Sequence, residues 1–368
     1  MKSRLFVVNE DTLASTIASN IASIFVPALT GAQWVKTVAD LMADMLQIEI
    51  GDYIFLWETR SGSQKSRIHG VYRAISKPYY QCLTPADNAP LKIHIEKAFD
   101  FINPVDEYDV LNNPYIKSDL WTIIGKKVAG KSRGTTPLSQ KETDYLITLL
   151  NGLNPNATFI PWNPLRVVTV PNPLAVTYLS TGVNTPPPTL NAFNPNALHL
   201  FDSSGNVVYE KVLETIFNQE MTNRNGAFFS PLGIDTSKVI WYSNYLPYSV
   251  EQSEMDYVVI ESEDGIHFSK VFVIELMKTG LDNSHIHRCL LYSKWVNETL
   301  CLGSNIVTPI IVCRDSVDFI SGETNKRKQT VLNKTNRLII STEQLYATKS
   351  LEIYTYNFSN NPIFNRKR

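Results

Sequence analysis

Residues 271–280, VFVIELMKTG, read as a buried β-strand until Glu275 interrupts it, and Lys278 follows three residues later. Burying either charge unpaired costs several kcal/mol, so a carboxylate at that point calls for a partner, a metal or a catalytic role. Asp256 opens the apolar stretch DYVVIES that precedes it, on the other side of a hairpin. Adjacent antiparallel strands can bring two such groups together, and two converging carboxylates make a site for a hard divalent cation such as Mg²⁺. A lysine beside them can orient or activate water. Asp256, Glu275 and Lys278 are then the minimum set for metal-assisted phosphodiester hydrolysis. The competing reading is a strand end that emerges into solvent, with Asp256 a turn residue.

The elements that must position these groups follow from the patterning. A helix over 207–221 precedes strands at 238–243, 256–262 and 271–277, with Asp264-Gly265 as the turn between the last two. An amphipathic helix over 284–300 follows, then strands at 306–313, 337–342 and 350–358. This alternation predicts an α/β sandwich. His285 and His287 sit two apart on the helix, where side chains do not face each other, so they read as a solvated or capping pair.

The N-terminal half has a different texture. RLFVV (4–8) predicts a strand, and Leu13, Ile17, Ile21 and Ile24 predict a helix behind Asn9 or Asp11 as cap. A second helix is predicted over 33–46, a hairpin from 52–59 and 66–76, and a further strand in PLKIHIEKAFDF. Ser139 with Glu142 three residues on is a capping box for a helix that ends at Gly152. Residues 151–200 hold nine of the 20 prolines and predict a connector packed in extended form.

At 368 residues the chain exceeds the limit of roughly 250–300 for one core, so two domains are expected. A net charge of −1 gives the molecule no overall field for a polyanion, and any nucleic-acid site must be a local patch. Lys126, Lys127, Lys131 and Arg133, in GKKVAGKSR, form such a patch, as a phosphate contact or a solvated loop. Cys82, Cys289, Cys301 and Cys313 form no CxxC pair, which argues against a structural zinc site and a disulfide scaffold. No run of about 18 apolar residues predicts a membrane span. A soluble cytoplasmic protein is expected.

The stretch EMDYVVIESEDG, KVFVIELMKTG, HRCLLYSKWV, over roughly 207–300, resembles the core of the PD-(D/E)XK nucleases. The resemblance implies an α/β/α restriction endonuclease-like domain, with Asp256 and Glu275 as Mg²⁺ ligands and a glutamate lent by the preceding helix. Glu214 is the candidate, with Glu210 and Glu220 as rivals. Two features depart from the pattern. Met277 stands where the family places its lysine, so Lys278 must be re-aimed by a bulge or Lys294 must come in from the helix. Arg288 occupies a helix position that is often glutamine, where an arginine can contact a phosphate.

IGDYIFLWETR followed by SRIHGVYRAISKPYY resembles the strand pair of PUA-like domains of the EVE and YTH type. The resemblance implies a small β-barrel over residues 1–155 that reads a flipped, often methylated base, with Asn9, Trp34, Trp57 and Tyr72 as pocket candidates beside Tyr79 and Tyr80. The combined expectation is an α+β / α/β chain with a reader at 1–155, a connector at 156–200 and a nuclease domain at 201–368. It acts on double-stranded DNA as a homodimer. The alternative is a modified-base or RNA reader whose nuclease-like domain has decayed.

Overall fold

The computed structural model describes residues 2–27, 34–60, 65–82, 87–112, 122–123, 134–177, 185–195, 198–202, 204–248, 253–314, 326–358 and 363–368. The chain divides into two compact units. Met1–Val176, Asn184–Leu198 and Ser249–Gln252 form the first, and Thr177–Val183, His199–Tyr248 and Ser253–Arg368 form the second.

In the first unit, strand β1 (Ser3–Val8) leads into helix α1 (Glu10–Ser19). Asn9 starts the helix: its side chain accepts the Thr12 amide, and the Thr12 hydroxyl accepts the Asn9 amide. The helix stops earlier than its isoleucine spacing predicts. Asn20 takes a left-handed φ of 56°, and Ile21 and Ile24 instead belong to strand β2 (Ile21–Ile24), paired antiparallel with β6 (Leu91–Lys97). Asparagine tolerates that conformation, and the β-branched residues behind it favour a strand.

Helix α2 (Trp34–Leu46) is followed by β3 (Tyr53–Glu58), β4 (Arg67–Ala74), β5 (Tyr79–Tyr80) and β6, then β7 (Val105–Asp106) and the short α3 (Glu107–Leu111). Strand β8 (Thr135–Leu138) and helix α4 (Gln140–Leu153) complete the unit. The sheet order is β2-β6-β4-β3-β1-β8, with β5 on β6 and β7 on β4; β1 runs parallel to β3 and the other pairs are antiparallel. One core cluster joins Leu5, Phe55, Trp57, Ile68 and Val71 of the sheet to Leu146 and Leu150 of α4. The Ser139–Glu142 capping box forms as its spacing requires, and the buried Glu142 carboxylate also takes the amides of Thr122 and Ile123. The proline-rich segment lies along this unit: Ile160 donates to the Ala98 carbonyl, Val168 to that of Ile75, and Pro173 bridges Tyr79.

The second unit begins with α5 (Glu210–Thr222) and the single-turn α6 (Gly226–Phe229). Then come β9 (Val239–Tyr248), β10 (Ser253–Ser262), β11 (Phe268–Leu276), α7 (Asn283–Thr299), β12 (Val307–Arg314), α8 (Lys326–Tyr346), β13 (Glu352–Asn357) and β14 (Ile363–Arg366). The sheet runs β14-β13-β12-β11-β10-β9. Strands β9, β10 and β11 form an antiparallel meander, β12 and β13 run parallel to β11, and β14 is antiparallel. The β10–β11 turn is made by Asp264, whose Oδ1 accepts the amides of Ile266 and His267, and by Gly265 at φ +76°.

Helices cover both faces of this sheet. Phe217 of α5 packs on Tyr257, which is in register with Ile274. Ile311, in register with the next residue, Glu275, packs instead with Ile286, Cys289 and Leu290 of α7. Successive strand residues point to opposite faces, so α5 and α7 lie on opposite sides. The stretch RLIIST, expected as a strand, lies inside helix α8. Its β-branched residues suggested a strand, but Ile339, Thr342 and Tyr346 recur at helical spacing, and Ile339 and Thr342 are buried.

Candidate functional site

Asp256 and Glu275 flank the Tyr257–Ile274 pair of the β10–β11 ladder, so the meander brings the two carboxylates to the same end of neighbouring strands. Asp256 is 7% exposed and Glu275 is 0% exposed, which sets both in a poorly solvated environment. Asp256 Oδ2 accepts the Leu276 amide at 2.9 Å. Glu275 Oε2 accepts from Arg288 Nη2 of α7 at 2.6 Å. Its other oxygen, Oε1, is buried and has no hydrogen-bond donor among the described residues. An orphaned carboxylate oxygen beside a second carboxylate is costly unless something positive completes it.

The electrostatics carry the same message. Burial pushes the Asp256 carboxyl up to about 6, and Lys211 and the Leu276 amide pull against it. Burial, followed by the charge of Asp256, pushes Glu275 well above the usual carboxylate range against the pull of Arg288. Both shifts mean that the folded chain favours the protonated form of two buried acids held close together.

Helix α5 supplies the remaining groups. Lys211 Nζ lies 2.5 Å from Glu214 Oε1, and Asn244 of β9 donates to Glu214 Oε2 at 2.8 Å. Glu214 is thus fully buried with both oxygens engaged, and it relates to the carboxylate pair through Lys211. Glu210 adds negative charge felt by both Asp256 and Glu275. Glu220 stands apart, accepting from Asn225 Nδ2 at 2.6 Å.

The sequence-predicted lysines fall elsewhere. β11 ends at Leu276, and Lys278 is exposed with its ammonium 5.7 Å from the Tyr209 ring centroid. Lys294 is half-buried beside Glu298 and Tyr346. Met277 is buried in the α7 core cluster. Lys211 is the cation that sequence reasoning missed; its signal was the i,i+3 spacing to Glu214 on one helix face. Asn244, a polar residue inside the apolar strand β9, was also legible as an anomaly. The predicted phosphate contact Arg288 is occupied by Glu275. His285 Nδ1 lies 2.7 Å from Asp282, the residue that caps α7, which makes it part of a helix start.

Among the described residues no group of three or more His, Cys, Asp and Glu could hold a metal. The donor set at β10 and β11 is two carboxylates, which suits Mg²⁺: that ion keeps several waters and uses one or two carboxylates together with substrate phosphate. The orphaned Glu275 Oε1 is the observation that fits it.

In the first unit the pocket candidates separate. Asn9 is exposed and serves as the α1 cap. Trp57 lies in the core cluster with Leu5 and Ile68. Tyr72 is buried on β4, and burial raises its phenol. Trp34 opens α2, 6% exposed, with its ring 5.8 Å from that of Phe193 in an edge-on contact. Its Nε1 is buried with no acceptor among the described residues. Tyr80 meets the same Phe193 at 5.2 Å and donates its hydroxyl to the Leu190 carbonyl. Tyr79 stacks on His94 at 5.2 Å. Lys126, Lys127, Lys131 and Arg133 lie outside the described residues. No helix among the described residues is long and apolar enough to cross a membrane.

No protein-family model and no curated protein matches this chain. Several solved structures resemble it. A hypothetical protein from Leishmania major is 7% identical, with a TM-score of 0.30 over 42% of this chain and 97% of the other. Human THYN1, solved with 5-methylcytosine-containing DNA, is 12% identical, with a TM-score of 0.29 over 41% of this chain and 98% of the other. The Mmi1 YTH domain, solved with RNA, is 14% identical, with a TM-score of 0.25 over 42% of this chain and 80% of the other.

Proposed function

We propose that this chain is a Mg²⁺-dependent endodeoxyribonuclease of restriction type. In this reading the first unit is a PUA-like reader of a modified base and the second unit hydrolyses a phosphodiester of double-stranded DNA. The observation that carries the proposal is the Glu275 carboxylate, fully buried, with one oxygen unpartnered among the described residues, beside the buried Asp256. The order of the second unit supports it: a helix, an antiparallel meander carrying the acids on its second and third strands, a helix, and a strand parallel to the third. That is the arrangement the nuclease-like sequence pattern calls for.

Asp256 and Glu275 would hold the ion. Bound there, Mg²⁺ supplies Lewis acidity toward a phosphoryl oxygen. Lys211, which pairs with Glu214 and whose charge acts on Asp256, is the chain's own cation for developing negative charge, in place of the exposed Lys278. Glu214 and Asn244 fix the position of that ammonium. In the first unit Trp34, whose buried indole N–H has no acceptor among the described residues, is the preferred contact for a flipped base, with Tyr72 as a second aromatic candidate. Cutting both strands requires two sites, so a homodimer is part of the proposal.

One observation favours a second reading, a non-catalytic reader of modified bases: Arg288 already occupies one oxygen of Glu275. Incubation with Mg²⁺ and matched DNA duplexes, unmodified or carrying methylated or hydroxymethylated cytosine or methylated adenine, separates the two. Discrete cutting that Asp256→Ala and Glu275→Ala abolish supports the nuclease. Binding without cutting supports the reader, and cutting that survives both substitutions refutes the site.

A further inference from the structure

The Arg288–Glu275 contact is incomplete on both sides. A guanidinium and a carboxylate can join through two parallel hydrogen bonds. Here only Nη2 reaches Oε2, at 2.6 Å. Glu275 Oε1 and Arg288 Nε are both buried without a partner among the described residues. The first lacks a positive group and the second lacks an acceptor, so the contact is short of a cation and an anion together. A divalent ion carrying a phosphodiester oxygen supplies both. The arginine side chain is 42% exposed while its partner is fully buried, so the arginine is the member with room to move.

We infer that Arg288 is a phosphate-responsive latch on the cation site: it pairs with Glu275 when no substrate is present and turns to the scissile phosphate when DNA arrives, leaving Glu275 free for the metal. Metal loading is thereby coupled to DNA binding. The free protein holds its divalent ion weakly and the DNA complex holds it tightly, by reciprocal linkage. Arg288 is a positioning residue in the empty site and a substrate contact in the filled one. The inference rests on the nuclease reading and adds to it an order of events that the carboxylates alone do not dictate.

The test is calorimetric titration of the full chain with Ca²⁺, which takes hard oxygen sites, with and without a mixed-sequence DNA duplex. Wild type is expected to gain at least about tenfold in Ca²⁺ affinity on adding duplex, about 1.4 kcal/mol. Arg288→Gln is expected to bind Ca²⁺ about tenfold more tightly than wild type without DNA, and to lose the gain that duplex brings. Arg288→Lys, a point charge without the fork, should fall between them. A Ca²⁺ affinity that Glu275→Gln abolishes but Arg288→Gln leaves unchanged or weakens overturns the latch and leaves the metal site standing. Absence of Ca²⁺ binding by every form, with or without duplex, overturns both.

Discussion

Asp256→Asn offers a test of whether the carboxylate pair is built for something other than stability. The amide keeps an oxygen acceptor for the Leu276 N–H, so the change removes charge and little else. In the folded chain burial lifts the Asp256 pKa from 3.8 to about 6. A raised pKa means that the folded state prefers the proton. The stability tied to it is complete below about pH 4 and is lost as pH rises through about 6. Two pKa units correspond to about 3 kcal/mol, which bounds the effect from above. For a unit of this size that is a melting shift of about 6–12 °C. Thermal unfolding in a chelating buffer should give nearly equal melting points at pH 4, and a higher one for Asp256→Asn at pH 7.5. Adding Ca²⁺ at pH 7.5 should raise the wild type and leave the variant unmoved, because only a form that binds ligand gains by mass action. A variant less stable than wild type at pH 7.5 without metal would refute the reasoning. It would mean that Lys211 and Arg288 already satisfy the carboxylate as a structural ion cluster.

Other substitutions divide the site further. Lys211→Ala should lower the cleavage rate about a hundredfold, as loss of one preorganised donor does, while Lys278→Ala leaves it unchanged. Equal effects of the two would restore the exposed lysine to the mechanism. Asn9→Ala should cost about 1 kcal/mol of first-unit stability through loss of the helix cap, with DNA affinity unaltered; a loss of affinity at constant stability would return Asn9 to the pocket. Trp34→Phe should lower the melting point only by the packing volume it removes, since the indole N–H has no acceptor among the described residues to lose, and should weaken binding to modified duplex at temperatures where the variant is fully folded. Indifference of binding to that change would place the reader elsewhere.

Local chemistry made much of this architecture readable from the chain. Asp264-Gly265 announced the hairpin, Ser139 with Glu142 announced a helix start, and a glutamate inside an apolar run announced a buried carboxylate. What misled was competition between local signals: Asn20 cut a helix that isoleucine spacing would have continued, and RLIIST has strand-forming residues inside a helix set by longer periodicity. The Lys211–Glu214 pair was hidden for a different reason. Lys278 is near Glu275 in sequence, but Lys211 comes from another element, brought there by the packing of α5 on the meander. Arg288 was expected as a phosphate contact, whereas its pairing with Glu275 depends on how α7 lies over β11 and β12.

Whether Asp256 and Glu275 hold a metal for phosphodiester hydrolysis is decided by the nicking of supercoiled circular DNA by the wild type and by Glu275→Gln, with Mg²⁺ or with chelator. A single cut suffices for detection, and no recognition sequence needs to be known if modified and unmodified plasmids are both supplied. Conversion to open circles is expected from the wild type with Mg²⁺ only, and none from Glu275→Gln. Nicking by the variant at the wild-type rate would contradict that role.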